Sequence, residues 1–121
     1  MIEHLSPQHV LDVVKLMADK VRRGGRVVVE TVNPTSLSTY ANAFWVDPDH
    51  VRPVHPTFLG FLFAEAGFAN VERVDRSPVP VDESLELFPG DDELTKRLNV
   101  NFERINALLF GPQDYAIVAT R

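Results

Sequence analysis

Val10, Leu11, Val13, Val14, Leu16, Met17 and Val21 recur near helical spacing across residues 6–23, which predicts an amphipathic helix. Ser6 suits its N-cap and Pro7 its first turn. Lys15, Lys20, Arg22 and Arg23 gather toward its dipole-negative end, and Gly24-Gly25 closes it. The next run, Arg26-Val27-Val28-Val29-Glu30-Thr31-Val32, is too continuously β-branched for a half-exposed strand and predicts a parallel strand covered on both faces. Helix, paired glycines and buried strand in that order make the second half of a βαβ unit. Its first strand would precede Met1, with Ile2-Glu3-His4-Leu5 as the C-terminal tip.

Residues 34–55 lose periodicity and mix prolines and polar residues with Tyr40, Phe44 and Trp45, as in a functional loop or one with a short helix of its own. A helix over residues 56–66 then starts at Pro56 and ends at Gly67. Phe58, Leu59, Phe61, Leu62 and Phe63 make it apolar over most of its circumference, which predicts extensive burial. Residues 68–74 read as a strand and residues 77–91 as an irregular connection. A further helix, capped by Asp91 or Asp92, aligns Leu94, Leu98, Phe102, Ile105 and Leu109 on one face. Gly111-Pro112 ends it, and residues 115–119 form a last strand. The whole reads as one α/β domain spanning residues 1–121.

Composition narrows the function classes. Twelve Lys and Arg against 17 Asp and Glu give a net charge of -5, with no basic run that could line up with phosphates, so nucleic acid is not an expected partner. The absence of cysteine excludes disulfides, thiol catalysis and thiolate metal sites. No apolar run is long enough for a membrane span, and residues 1–25 lack the order of a signal peptide, so no membrane partner and a cytoplasmic location are expected.

The candidate chemistry lies at the strand tip and in the first long loop. His4 follows the presumed tip, where open α/β sheets place catalytic groups; the bland alternative is a histidine that only fixes the start of the helix. Asp47-Pro48-Asp49-His50-Val51-Arg52-Pro53 concentrates two carboxylates, an imidazole and a guanidinium. Arg52 suits a phosphate or carboxylate on an acceptor, or else Asp47 or Asp49 pairs with it to pin the loop. Asp47, Asp49, His50 and His55 show no recognised metal-ligand spacing, so no metal is expected. Tyr40, Phe44 and Trp45 fit a small satellite core or a stacking platform, and Asn99, Asn101 and Asn106 an interface or a solvated face.

Taken in order, several of these segments resemble the C-terminal half of a class I S-adenosylmethionine-dependent methyltransferase. They are Ile2-Glu3-His4-Leu5 before a helix, Arg23-Gly24-Gly25-Arg26 leading into Val27-Val28-Val29-Glu30-Thr31, and Val32-Asn33-Pro34. The segments 47–53, Glu65-Ala66-Gly67-Phe68 and 106–116 are similar to the subgroup found beside surface-polysaccharide and sugar-modifying genes. The resemblance implies a partial Rossmann-like sheet: the tip of strand 4, strands 5 and 6, and an antiparallel strand 7 inserted between those two, with three main helices. It implies S-adenosylmethionine as cofactor, Glu3 and His4 beside its methionine end, and His4 as proton acceptor from a sugar or small-molecule hydroxyl. Asn33, Asp47, His50 and Arg52 would then belong to the substrate loop. The glycine-rich turn that holds the cofactor belongs to the N-terminal half of the family fold and has no counterpart here, because Gly24-Gly25 follows a helix instead of opening one. The isolated chain is therefore expected to be inactive, with a complementary N-terminal half or a second copy as partner. The alternative expectation is a non-catalytic α/β module that pairs through its exposed sheet edge.

Overall fold

The computed structural model describes residues 1–121. After a 3-10 turn at Ile2–His4 come helix α1 (Pro7–Lys20) and strand β1 (Arg26–Val32). A π-turn at Thr39–Ala43 runs into the short helix α2 (Phe44–Val46), followed by α3 (Pro56–Glu65), β2 (Ala69–Arg76), α4 (Glu93–Leu109) and β3 (Asp114–Thr120). The strands form one sheet in the order β1-β3-β2, with β3 antiparallel to both neighbours. β1 and β2 therefore run parallel to each other with the last strand inserted between them. This is the arrangement expected for strands 5, 7 and 6.

The local signals act as their chemistry dictates. The Ser6 hydroxyl accepts from the His9 backbone N–H, with Pro7 in the first turn of α1. Asp92, not Asp91, caps α4, accepting from the Leu94 and Thr95 amides. α3 ends on Gly67 at φ 87, and the Phe68 N–H reaches back to the Phe63 carbonyl at 3.1 Å. The Phe63 and Phe68 rings meet edge-on at 5.2 Å, which supplies the apolar contact that accompanies such a stop.

Val10, Val14 and Ala18 of α1 and Leu59 and Phe63 of α3 cover one face of the sheet, meeting Val29, Tyr115, Ile117 and Ala119. Two expectations change here. β1 pairs antiparallel along one edge, and its other face is open, leaving Val28 64% exposed. α3 buries only one side, because a single sheet face receives it: Leu59 and Phe63 are buried, whereas Phe58 and Phe61 are about half exposed, at 50% and 56%. Neither of the latter is core, as their apolar character had predicted.

The expected strand tip is also different. Residues 2–4 form a 3-10 turn, with the His4 N–H on the Met1 carbonyl and the Leu5 N–H on the Ile2 carbonyl, so this backbone bonds to itself instead of to a neighbouring strand. α4 carries no buried residue. Two of its three asparagines hold the irregular segment 77–92 against it: Asn99 bonds both backbone groups of Phe88, and Asn106 both backbone groups of Leu85. No helix is long and apolar enough to cross a membrane.

Candidate functional site

Three hydrogen bonds bring the two ends of the candidate chemistry together. The Glu3 carbonyl accepts the Val51 and Arg52 amides at 2.9 and 3.3 Å, which lays the 47–55 strap across the N-terminal turn. In return the His4 ring nitrogen Nδ1 bonds the Asp49 carbonyl at 3.1 Å. Within the strap, the Asp47 carboxylate accepts the Asp49 amide at 2.9 Å and tightens the turn. Beyond it, the buried Tyr115 hydroxyl donates to the Val54 carbonyl at 2.7 Å, tying the strap to the central strand.

This clamp places the His4 and His50 rings 4.7 Å apart, with the Phe44 ring also 4.7 Å from His50 and tilted to it by 32°. His50 Nδ1 bonds the Phe44 carbonyl at 2.6 Å. Glu3 is buried beneath them. One of its carboxylate oxygens accepts the Thr31 hydroxyl at 2.6 Å, while the other takes the Met1 amino group and stands 3.5 Å from His4 Nε2. Burial pushes the Glu3 carboxyl up, but the hydrogen bonds from the amino group, from Thr31 and from the backbone outweigh it. The net shift is downward, so Glu3 is a carboxylate at neutral pH.

Of the residues singled out in the sequence, Glu3, His4, Asp47 and His50 are thus brought together; Asp47 Oδ2 lies 3.6 Å from His50 Nε2. Arg52 is exposed and makes no ion pair with Asp47 or Asp49, which removes the loop-pinning role considered for it. It lines, with Leu5, Pro7, Val10, His55 and Phe58, a cleft of about 150 Å³ that opens immediately beside the cluster along both chain segments.

Asn33 is buried and fully employed. Its amide donates to the Pro112 carbonyl at 2.8 Å and its oxygen accepts from Thr35 twice, so it shapes the turn after β1. His55 caps α3, accepting the Thr57 amide on Nδ1. Tyr40, Phe44 and Trp45 pack mutually as a satellite cluster with Phe44 wholly buried. Thr31 was not singled out from the sequence. Its one signal is position: it alternates with Val27 and Val29 toward the inner face, where a buried hydroxyl needs a partner.

The chain matches, over 100% of its length, the crystal structure of a SAM dependent methyltransferase from Archaeoglobus fulgidus, with a TM-score of 0.95 and 35% sequence identity. It spans 56% of that protein's chain. No protein-family model and no curated protein matches it. The fold is thus α/β and coincides with a methyltransferase fold over part of that fold.

Whether these residues fit the cofactor can be tested on their glycines. The helix expected to run to Arg23 stops earlier: α1 ends at Lys20 with Val21 extended, so Gly24 and Gly25 shape the turn into β1 instead of capping the helix, Gly24 at φ 76 donating to the Arg121 carbonyl and Gly25 to the Arg22 carbonyl. No glycine-rich turn opens a helix in these 121 residues, so the family's glycine-rich cofactor loop has no counterpart among them.

Proposed function

We propose that this chain is the C-terminal, acceptor-side half of an S-adenosylmethionine-dependent methyltransferase that methylates an oxygen of a small molecule or sugar. The observation that carries this is the end-to-end match to the Archaeoglobus fulgidus protein, at an identity high enough to accompany shared ancestry. Bound in the complementary half, the cofactor supplies an electrophilic methyl group.

What this half offers is a polar face that receives the acceptor. The carbonyls of Asp49 and Phe44 accept hydrogen bonds only, so Nδ1 of both His4 and His50 carries a proton, and in the neutral ring the lone pair is on Nε2. His4 Nε2 takes the proton from an acceptor hydroxyl as its oxygen becomes nucleophilic. Glu3, ionised and 3.5 Å away, stabilises the imidazolium that results. Arg52, which lines the cleft, orients an anionic group on the acceptor.

Methyl transfer from labelled cofactor to polysaccharide-type sugars, by this chain co-expressed with an N-terminal half bearing a glycine-rich turn, tests the proposal. Label on an acceptor oxygen, reduced at least about a hundredfold in His4→Ala, is expected for a general base. A complemented pair that binds cofactor and transfers nothing to any hydroxyl contradicts it.

A second reading, a non-catalytic module pairing through its sheet edge, is favoured by one observation. β1 is an edge strand that leaves the apolar Val28 exposed. Sedimentation of the 121-residue chain distinguishes the two, since a strict monomer at high concentration removes the homodimer.

A further inference from the structure

We propose that Glu3, His4 and His50 form a binding site for a divalent first-row transition-metal ion. The carboxylate and two imidazoles each present one ligand atom, and those atoms lie within 4.8 Å of one another. Ligands about 2.1 Å from a shared ion stand about 3–4 Å apart, so a movement of about 1 Å closes the set. His4 Nε2 and the Glu3 oxygen, at 3.5 Å, already have that spacing.

The groups behind the three ligands also favour an ion. A ligating histidine ordinarily donates its other ring N–H to a carbonyl or carboxylate, which fixes the tautomer and aims the lone pair at the metal. Both histidines do so here: His4 through Nδ1 to the Asp49 carbonyl at 3.1 Å, His50 through Nδ1 to the Phe44 carbonyl at 2.6 Å. Glu3 is held in the same way, because the Thr31 hydroxyl occupies Oε2 at 2.6 Å and leaves Oε1 turned toward His4 Nε2. The Met1 ammonium sits on Oε1, and the ion would displace it. Asp47 Oδ2, 3.6 Å from His50 Nε2, adds a second negative charge on the open side.

Two histidines and one carboxylate leave further coordination positions vacant, which suits Zn²⁺, Fe²⁺, Mn²⁺ or Co²⁺ more than Ca²⁺ or Mg²⁺. The inference deepens the acceptor-side reading of the same residues. With the ion bound, a hydroxyl in an open position would have its pKa lowered and its proton would pass to solvent; without the ion, His4 Nε2 is free to take that proton. The binding claim rests on these side chains alone and is measured with neither cofactor nor acceptor present, so its failure and that of the methyltransferase reading are distinguishable.

The test is calorimetric titration of the chelator-stripped chain with Zn²⁺, Mn²⁺ and Co²⁺, with visible absorption recorded for Co²⁺. One ion per chain is expected, weakened at least about tenfold in His4→Ala, His50→Ala and Glu3→Gln and unchanged in His9→Ala, whose side chain lies on the exposed face of α1. Side-chain nitrogen NMR of the unsubstituted chain gives the same answer with no risk of misfolding. On addition of Zn²⁺ the Nε2 signals of His4 and His50 shift while their Nδ1 remain protonated. Absence of saturable uptake for all three ions overturns the proposal. So does uptake that the NMR signals assign to His9 or His55, or that survives within about twofold in the His4 and His50 variants.

Discussion

Tyr115→Phe is the substitution that most directly probes how the strap is held. The phenol is fully buried on the central strand, and its hydroxyl donates to the Val54 carbonyl at 2.7 Å. Phenylalanine keeps the ring and leaves that carbonyl buried without its donor, which costs about 1–3 kcal/mol. For 121 residues the unfolding entropy is about 0.25 kcal/mol/K, so Tm falls by about 4–12 °C.

The same group sets an alkaline limit. Burial pushes the Tyr115 phenol well above the ordinary tyrosine range, with Glu3 adding to the shift and the nearby Arg73 opposing it. An acid whose folded pKa is raised contributes stability that is fully present below its unfolded value, near 10, and lost as the pH climbs beyond it. Wild-type stability therefore falls by up to about 1.4 kcal/mol per pH unit above 10 from this group, and the phenylalanine variant lacks that component. Urea denaturation of both proteins between pH 8 and about 11 measures both effects. A variant within about 0.5 kcal/mol of wild type with an unchanged alkaline slope would refute the reasoning.

The remaining expectations concern packing and the irregular segments. Phe63→Ala should destabilise by about 3–5 kcal/mol and Phe61→Ala by less than about 0.5, because only Phe63 is buried; thermal unfolding separates them. Asn99→Ala with Asn106→Ala should release residues 84–88 from α4, seen as loss of hydrogen-exchange protection at the Leu85 and Phe88 amides with the sheet's protection unchanged. Gly67→Ala should destabilise by about 1 kcal/mol in urea denaturation, since φ is 87; the Arg121 guanidinium 2.6 Å from the new Cβ is the end of a flexible side chain and can move aside.

Local chemistry made much of the fold legible. Ser6-Pro7, Pro56 and Gly67 announce the start of α1 and the bounds of α3 because caps and breakers act within a few residues of themselves, whereas Gly24-Gly25 lies beyond the end of α1 at Lys20 and marks the turn into β1. The inserted position of β3 is not a local property, and it followed from the family resemblance instead of from periodicity. Burial misled at Phe58 and Phe61, since composition says how apolar a helix is but not how many faces its surroundings cover.

The site was half legible. His4 and His50 could each be noted, yet nothing in the sequence says that residue 50 returns to residue 4; the clamp between the Glu3 carbonyl and the Val51 and Arg52 amides is made by backbone groups every residue possesses. Residues 47–55 hold no metal-ligand spacing of their own, because the converging set is divided between residues 3–4 and 50. Thr31 was invisible for the same reason, being 28 positions from the carboxylate it holds.

The central claim is that this chain is the acceptor-side half of an S-adenosylmethionine-dependent methyltransferase. The most direct measurement is calorimetric titration with S-adenosylhomocysteine of the 121-residue chain alone, and of the chain co-expressed with the part of the Archaeoglobus fulgidus protein that the match leaves uncovered. The account predicts no saturable binding by the chain alone and one site per complex in the assembled pair. Assembly of a stable complex that still binds no cofactor would contradict it, and saturable binding by the chain alone would show that the cofactor site lies within these residues after all.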